Sequence, residues 1–306
     1  MTRLQANLLL LVTGAIWGAG FVAQSTAMQA IGPLWFIGLR FGIASLVALP
    51  LALVEARRAE KPLTRANIPG FLAVGLSLFG GAVTQQIGIQ TTTVTNSGFL
   101  TGLYIIFTPI LSVLLFRRMP HWVVWPAAVL SLIGIFLLGG GKLDALSSGD
   151  YLTIVCAVFW ALQIIFVGVV APSVGRPMAL SFCQFALCAI GGLALGFLTE
   201  PLAFDAVMAA APEILFAGLF SSGLAFICQI VAQRHTTAAQ AAIFLSSEAL
   251  FAALFGVLLL GETIPTIGYL GCAILFVAML SVEIVPELGK NRLGHGGGAR
   301  PESADT

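Results

Sequence analysis

Charge is scarce in this sequence. Of 306 residues only 9% are Asp, Glu, Lys or Arg, while 58% are hydrophobic. Soluble domains average about 25% charged residues because their surfaces face water. At a mean hydropathy of +1.02, the apolar surface exceeds what a core of this length hides, so lipid must solvate most of the chain. Histidine is scarcer still. His121, His235 and His295 all sit at the ends of apolar stretches or in the tail. With no histidine deep in such a stretch, and no HExxH or GxSxG motif, an intramembrane enzyme has no support. The cysteines Cys156, Cys183, Cys188, Cys228 and Cys272 form no CxxC pair and have no ligand spacing to the histidines. They read as small apolar residues between helices, so no metal or other cofactor is expected. The glycines of GGGK at 139–142 lack the rest of a P-loop, which leaves ion or substrate gradients as the driving force. A net charge of +1 with no basic arm gives no sign of nucleic acid, and the rings of like charge that mark a channel pore are missing.

What the sequence has is long apolar stretches. Ten of them are long enough to cross a bilayer of about 30 Å as helices: 6–25, 33–54, 68–88, 97–116, 121–139, 150–170, 178–198, 211–232, 240–260 and 264–284. Pro33, Pro120, Pro177, Pro212 and Pro265 fall near their starts, where a missing N–H costs least. The positive-inside rule then sets the orientation. With the N-terminus in the cytoplasm, the inside segments hold Arg3, Arg57, Arg58, Lys61, Arg65, Arg117, Arg118, Arg176, Arg234, Lys290, Arg292 and Arg300, against Lys142 alone outside. Both termini are therefore expected in the cytoplasm. The polar, glycine-rich segment 286–306 is expected to be a disordered cytoplasmic tail.

The chain also repeats. Trp17 recurs as Trp160, Pro33 as Pro177, Gly80 as Gly223 and Pro120 as Pro265. Thr91-Thr92 recurs as Thr236-Thr237, and FLT at 99–101 as FLS at 244–246. Residues 1–140 and 141–285 thus form two repeats of five spans. An odd number of spans puts the two in opposite membrane orientations. Inverted repeats are a hallmark of secondary transporters, with the substrate site near the midplane where the repeats meet. The expected fold is all-α and integral to the membrane, ten helices around a central cavity.

The stretches GAIWGAGFV (14–22), QQIGIQTTTVTNSGFLTGLYIIFTP (85–109) and SSEALFAALFGVLLLGE (246–262) carry a family resemblance. The chain resembles the drug/metabolite transporter superfamily, in particular its bacterial ten-helix permeases of the EamA type. The last stretch is similar to the family's ninth-helix pattern of a glutamate followed by proline and, further on, a Gly-Glu pair. Here Ala249 replaces the proline, which removes the expected cause of a kink, and the first half ends in FRRMP instead of Gly-Glu. The resemblance implies export of amino acids or other metabolites, one branch taking aromatic amino acids.

Polar residues within the spans mark candidate binding positions. Glu248 lies about 12 Å into the ninth span and Arg40 about 10 Å into the second, entering from the opposite face. A charge at such depth costs about 3 kcal/mol unless paired, hydrated or neutralised. Gln184 is the repeat equivalent of Arg40. Ser97, Thr101, Tyr104, Thr108 and Ser112 give the fourth span one polar face, and further lines run through Thr13–Trp17–Gly20–Gln24, Ser77–Gly81–Gln85–Gly88, Thr153–Cys156–Trp160–Gln163 and Ser222–Ala225–Gln229–Gln233. Small and hydroxyl residues also serve helix packing in lipid, but five helices with polar lines fit a wet cavity better than five packing seams. Trp17 and Trp160 sit too deep to be interfacial anchors and can stack on an aromatic group or hold an ammonium. The candidate substrate-binding set is Trp17, Arg40, Gln85, Thr101, Tyr104, Trp160, Gln163, Gln184 and Glu248. In this reading Arg40 receives a carboxylate, Glu248 an ammonium group and the tryptophans an apolar side chain. The alternative is efflux of hydrophobic cations, with Glu248 acting alone. Sugar-phosphate exchange would favour a second deep basic residue. The expected partners are a small-molecule substrate and the lipid bilayer, with the chain acting as a monomer.

Overall fold

The computed structural model describes residues 1–59, 62–92, 94–117, 119–141, 147–261 and 263–294. Among these, the only regular structure is helical. Ten principal helices run in chain order: α1 (Arg3–Ala27), α2 (Pro33–Arg58), α3 (Ile68–Gly88), α4 in two segments (Val94–Thr101 and Tyr104–Phe116) and α5 (Val124–Leu138). They continue as α6 (Ser148–Val174), α7 (Pro177–Thr199), α8 (Ala211–Gln233), α9 in two segments (Ala238–Leu245 and Ser247–Leu260) and α10 (Thr266–Gly294). Nine are long and apolar enough to cross a membrane. The tenth, α5, is apolar but has 15 residues, about 22 Å of helix, shorter than the stretch 121–139 that the sequence offers. Its start is delayed by the turn at His121–Val123, just after Pro120. At the other end of the chain, α10 runs through Pro286 to Gly294 instead of yielding to a tail at 286. Glu287, Leu288, Lys290, Arg292 and Leu293 among the added residues are good helix formers. Lys61, Arg118, Lys142, Glu262 and the tail beyond 294 lie outside the described residues.

The outer surface is what lipid requires. Leu46, Leu114, Ile190 and Phe197 are each about 70% exposed or more, a costly arrangement in water and a favourable one among acyl chains. Small residues let the inner surfaces approach closely. A Cβ added to Gly192 of α7 would lie 2.6 Å from the backbone nitrogen of Gly38 on α2, and one added to Gly134 of α5 would lie 2.8 Å from the carbonyl oxygen of Gly271 on α10. Without a hydrophobic driving force between helices in lipid, such close packing is a main source of their association.

The packing has a pattern. α2 lies along α7, and α5 along α10. α3 packs on α6 as α8 does on α1, α2 leans on α8 as α7 does on α3, and α1 runs against α9 as α6 does against α4. Exchanging the two halves of the chain maps each of these pairings onto another or onto itself. Side chains repeat the pattern. Glu55, near the end of α2, accepts backbone N–H bonds from Met178 and Ala179 at the start of α7 (3.1 and 3.0 Å) and faces Arg176 Nε at 3.4 Å. Glu200, just after α7, accepts from Leu34 and Trp35 at the start of α2 (3.0 and 3.1 Å). Each carboxylate thus closes the N-terminus of the other helix, where unpaired N–H groups and the positive end of the dipole favour an anion.

Candidate functional site

Two helices break beside the middle of the bundle. In α4 the ladder tightens at Gly102 and Leu103, where Leu103 N bonds Leu100 O and Ile105 N bonds Gly102 O (3.2 and 3.0 Å). In α9 the break is at Ser246, the repeat counterpart of Thr101, and Ala249 N bonds Ser246 O at 3.1 Å. No proline is needed there. The Ser246 hydroxyl bonds its own backbone, the Ile243 carbonyl, at 2.7 Å, offering the chain an alternative to the helical ladder. Each break starts a new segment, at Tyr104 in α4 and Ser247 in α9. Glu248 therefore stands in the first turn of a helix, where the dipole favours a carboxylate.

These breaks open onto a cavity of about 480 Å³, mouth included, lined by Trp17, Phe21, Gln24, Arg40, Gln85, Thr101, Tyr104, Trp160, Ile164, Ser221, Phe226 and Glu248. One wall is aromatic. The Trp17 and Trp160 rings lie 6.0 Å apart, and Phe226 packs 4.8 Å from Trp17 and stacks on Trp160 at 5.7 Å with 12° between planes. The Trp17 indole N–H donates to the Ser221 carbonyl at 3.0 Å, while the buried Trp160 N–H has no partner. Arg40 lines the same cavity and is only 4% exposed. Its guanidinium lies over the Phe36 and Phe41 rings, 5.2 and 4.8 Å from their centroids. Among the described residues no carboxylate is within ion-pair distance, and Nε has no hydrogen-bond partner. Arg40 and Glu248 thus share one cavity without pairing. The buried Tyr104 hydroxyl lies beside the Glu248 carboxyl, the group it is placed to bond. Among the described residues no group of three or more His, Cys, Asp or Glu is placed to hold a metal.

Seven of the nine positions singled out from the sequence line this cavity: Trp17, Arg40, Gln85, Thr101, Tyr104, Trp160 and Glu248. Gln163 and Gln184 do not. They are fully buried in an amide cluster with Gln229 and Gln233, between α6, α7 and α8. Phe21, Ile164, Ser221 and Phe226 line the cavity without having been singled out. Phe21 and Ile164 were findable, since they are repeat equivalents lying one turn beyond Trp17 and Trp160. Ser221 was not. α8 is π-helical over Ala217–Leu224, and the wider turn shifts the phase so that Ser221, rather than Ser222, faces the cavity.

A polar cavity between broken helices inside an apolar ten-helix bundle is a transporter's architecture. Residues 4–140 and 147–283 each match the EamA-like transporter family. The chain belongs to that family. Among curated relatives it is similar to an uncharacterized transporter of Archaeoglobus fulgidus, 28% identical over 92% of this chain and 87% of that one. It is also similar to YedA, an uncharacterized inner-membrane transporter of Escherichia coli K12, 24% identical over 88% of this chain and 87% of that one. A crystal structure with 17% identity shares the fold at a TM-score of 0.77, covering 93% of this chain and 98% of the other. This EamA-family chain is therefore a multi-pass membrane protein of a transporter family.

Proposed function

We propose that the chain is a secondary exporter of small metabolites, with amino acids, neutral or aromatic, as its substrate class. It works by alternating access in the inner membrane, both termini cytoplasmic, as two inverted five-helix repeats. The observation that carries the substrate class is Arg40, a buried guanidinium without an acidic partner among the described residues, sharing its cavity with Glu248 and an aromatic wall. A zwitterion supplies what each charge lacks: its carboxylate answers Arg40, its ammonium group answers Glu248, and its side chain stacks against Trp17, Trp160 and Phe226. A hydrophobic cation would satisfy Glu248 but be repelled by Arg40, which argues against drug efflux as the main activity. The repeat reading is supported by the packing that survives exchange of the halves and by the reciprocal glutamate caps. Glu248 is the group suited to take up a proton when the substrate leaves, coupling export to a proton gradient. The test is transport into proteoliposomes of a labelled panel of neutral, aromatic and cationic amino acids and a lipophilic cation, with and without a pH gradient. Aromatic and neutral zwitterions should be moved and the lipophilic cation should not. Transport of the lipophilic cation alone would overturn the reading.

A further inference from the structure

The exchange symmetry of the two halves is incomplete, and one departure from it borders the cavity. On the second half, α6 packs against α8 and against the first segment of α9. Among the described residues the corresponding pairings on the first half, α1 with α3 and α1 with α4, form no extended contact. The cavity lies in that gap, between Phe21 and Gln24 of α1, Gln85 of α3 and Thr101 of α4.

The closed pairing is held by amides. Gln163 of α6 and Gln229 of α8 are reciprocally bonded, Gln229 Nε2 to Gln163 Oε1 at 2.9 Å and Gln163 Nε2 to Gln229 Oε1 at 3.5 Å. Gln163 also donates to Gln184 Oε1 of α7 at 3.3 Å. Gln229 Nε2 bonds Gln233 Oε1 at 2.9 Å, and Gln233 Nε2 bonds the Ile164 carbonyl at 2.9 Å. All four glutamines are fully buried. The seam runs from Ile164, on the cavity wall, to Gln233, the last residue of α8. The counterpart of the Gln163–Gln229 pair on the first half is Gly20 and Gln85. There Gln85 donates to Thr101 at 3.4 Å and faces the cavity.

We propose that Gln163, Gln229 and Gln233 are the cytoplasmic gate, and that this structure is the state with that gate shut and the cavity facing outward. The proposal rests on the alternating-access reading and adds to it the residues that open and close. Amides suit the task. Zipped together they satisfy one another in a dry interface, and parted they bond water equally well, so opening strands no buried polar group. An all-leucine seam would seal as tightly but would expose apolar surface each time it opened. In the opposite state, α1 closes on α3, where Gly20 leaves room for Gln85, and the glutamine seam parts toward the cytoplasm.

The experiment uses one reporter, Ser221→Cys, in a full-length chain whose native cysteines are replaced by alanine, reconstituted in vesicles. A membrane-impermeant thiol reagent is applied from either face. Reaction from both faces is expected. Adding Gln163→Leu with Gln229→Leu should cut the rate from the cytoplasmic face about tenfold and leave the outer rate within about twofold, because the closed state gains population. Gln229→Glu, which puts a charge into the seam, should raise the cytoplasmic rate. Unchanged cytoplasmic rates in both variants would overturn the gate while leaving alternating access standing. Reaction from one face only in the reporter protein itself would overturn alternating access.

Discussion

Arg40 places a full positive charge among apolar neighbours, and the magnitudes decide what that means. An arginine at the centre of a spanning helix costs about 3 kcal/mol. Stacking on Phe36 and Phe41 returns about 0.5–2 kcal/mol. The remainder is available to an incoming anion. Arg40→Gln, which installs the residue found at the repeat position Gln184, should lower transport of carboxylate substrates by about one to two orders of magnitude, the value of a charge-assisted bond. The melting temperature in detergent should hold or rise, because an uncompensated charge is gone. A marked loss of thermal stability would assign Arg40 to structure instead. Glu248→Gln keeps shape and bonding but removes titration. Initial-rate assays across pH should find it folded, with the pH dependence of transport abolished. A wild-type profile would make Glu248 structural. Trp160→Ala removes the ring that stacks on Phe226. It should raise the KM for aromatic substrates several-fold more than for alanine-sized ones, as a substrate panel would show.

Among the elements, α2 and α7 carry most of the geometry that Arg40 depends on. Arg40 sits two residues beyond the Gly38 crossing, and the pair is fastened at both ends by Glu55 and Glu200. Removing an N-terminal cap costs about 0.5–2 kcal/mol, so Glu200→Ala and Glu55→Ala should each lower the melting temperature measurably, in nearly additive fashion since the sites are far apart. Gln should recover little, because its amide lacks the charge that the helix end favours. How legible these elements were follows from their physics. Spans announce themselves through hydropathy, and Trp17 and Trp160 through repetition. The caps were not read, although Glu55 and Glu200 are themselves repeat equivalents, because a glutamate at the end of a span passes for a solvated charge. The break in α9 was masked by Ala249, since serine bonding to backbone leaves a weaker signature than proline. Gln163 and Gln184 share the chemistry of the site residues, and only the contact of α6 with α8 separates a seam from a cavity wall.

At the scale of the whole molecule, sidedness and symmetry stand or fall together. Thr2, exposed just before α1, and Ser148, exposed at the start of α6, belong to opposite faces if the first half holds five crossings. Single cysteines at the two positions should react with an impermeant reagent from opposite sides of an intact vesicle, Ser148→Cys from outside. Reaction of both from the same side would remove the basis for inverted repeats.

The reciprocal capping of α2 and α7 bears on how the molecule can be made. Each half presents a helix end that only the other half's glutamate closes, so a half on its own is left with bare backbone donors at the membrane boundary. Severing the chain between α5 and α6 and co-expressing the fragments should therefore yield a working, non-covalent pair, whereas either fragment alone should be degraded. A fragment lacking its glutamate's partner has every reason to find it, and a cell could rebuild this protein from two pieces.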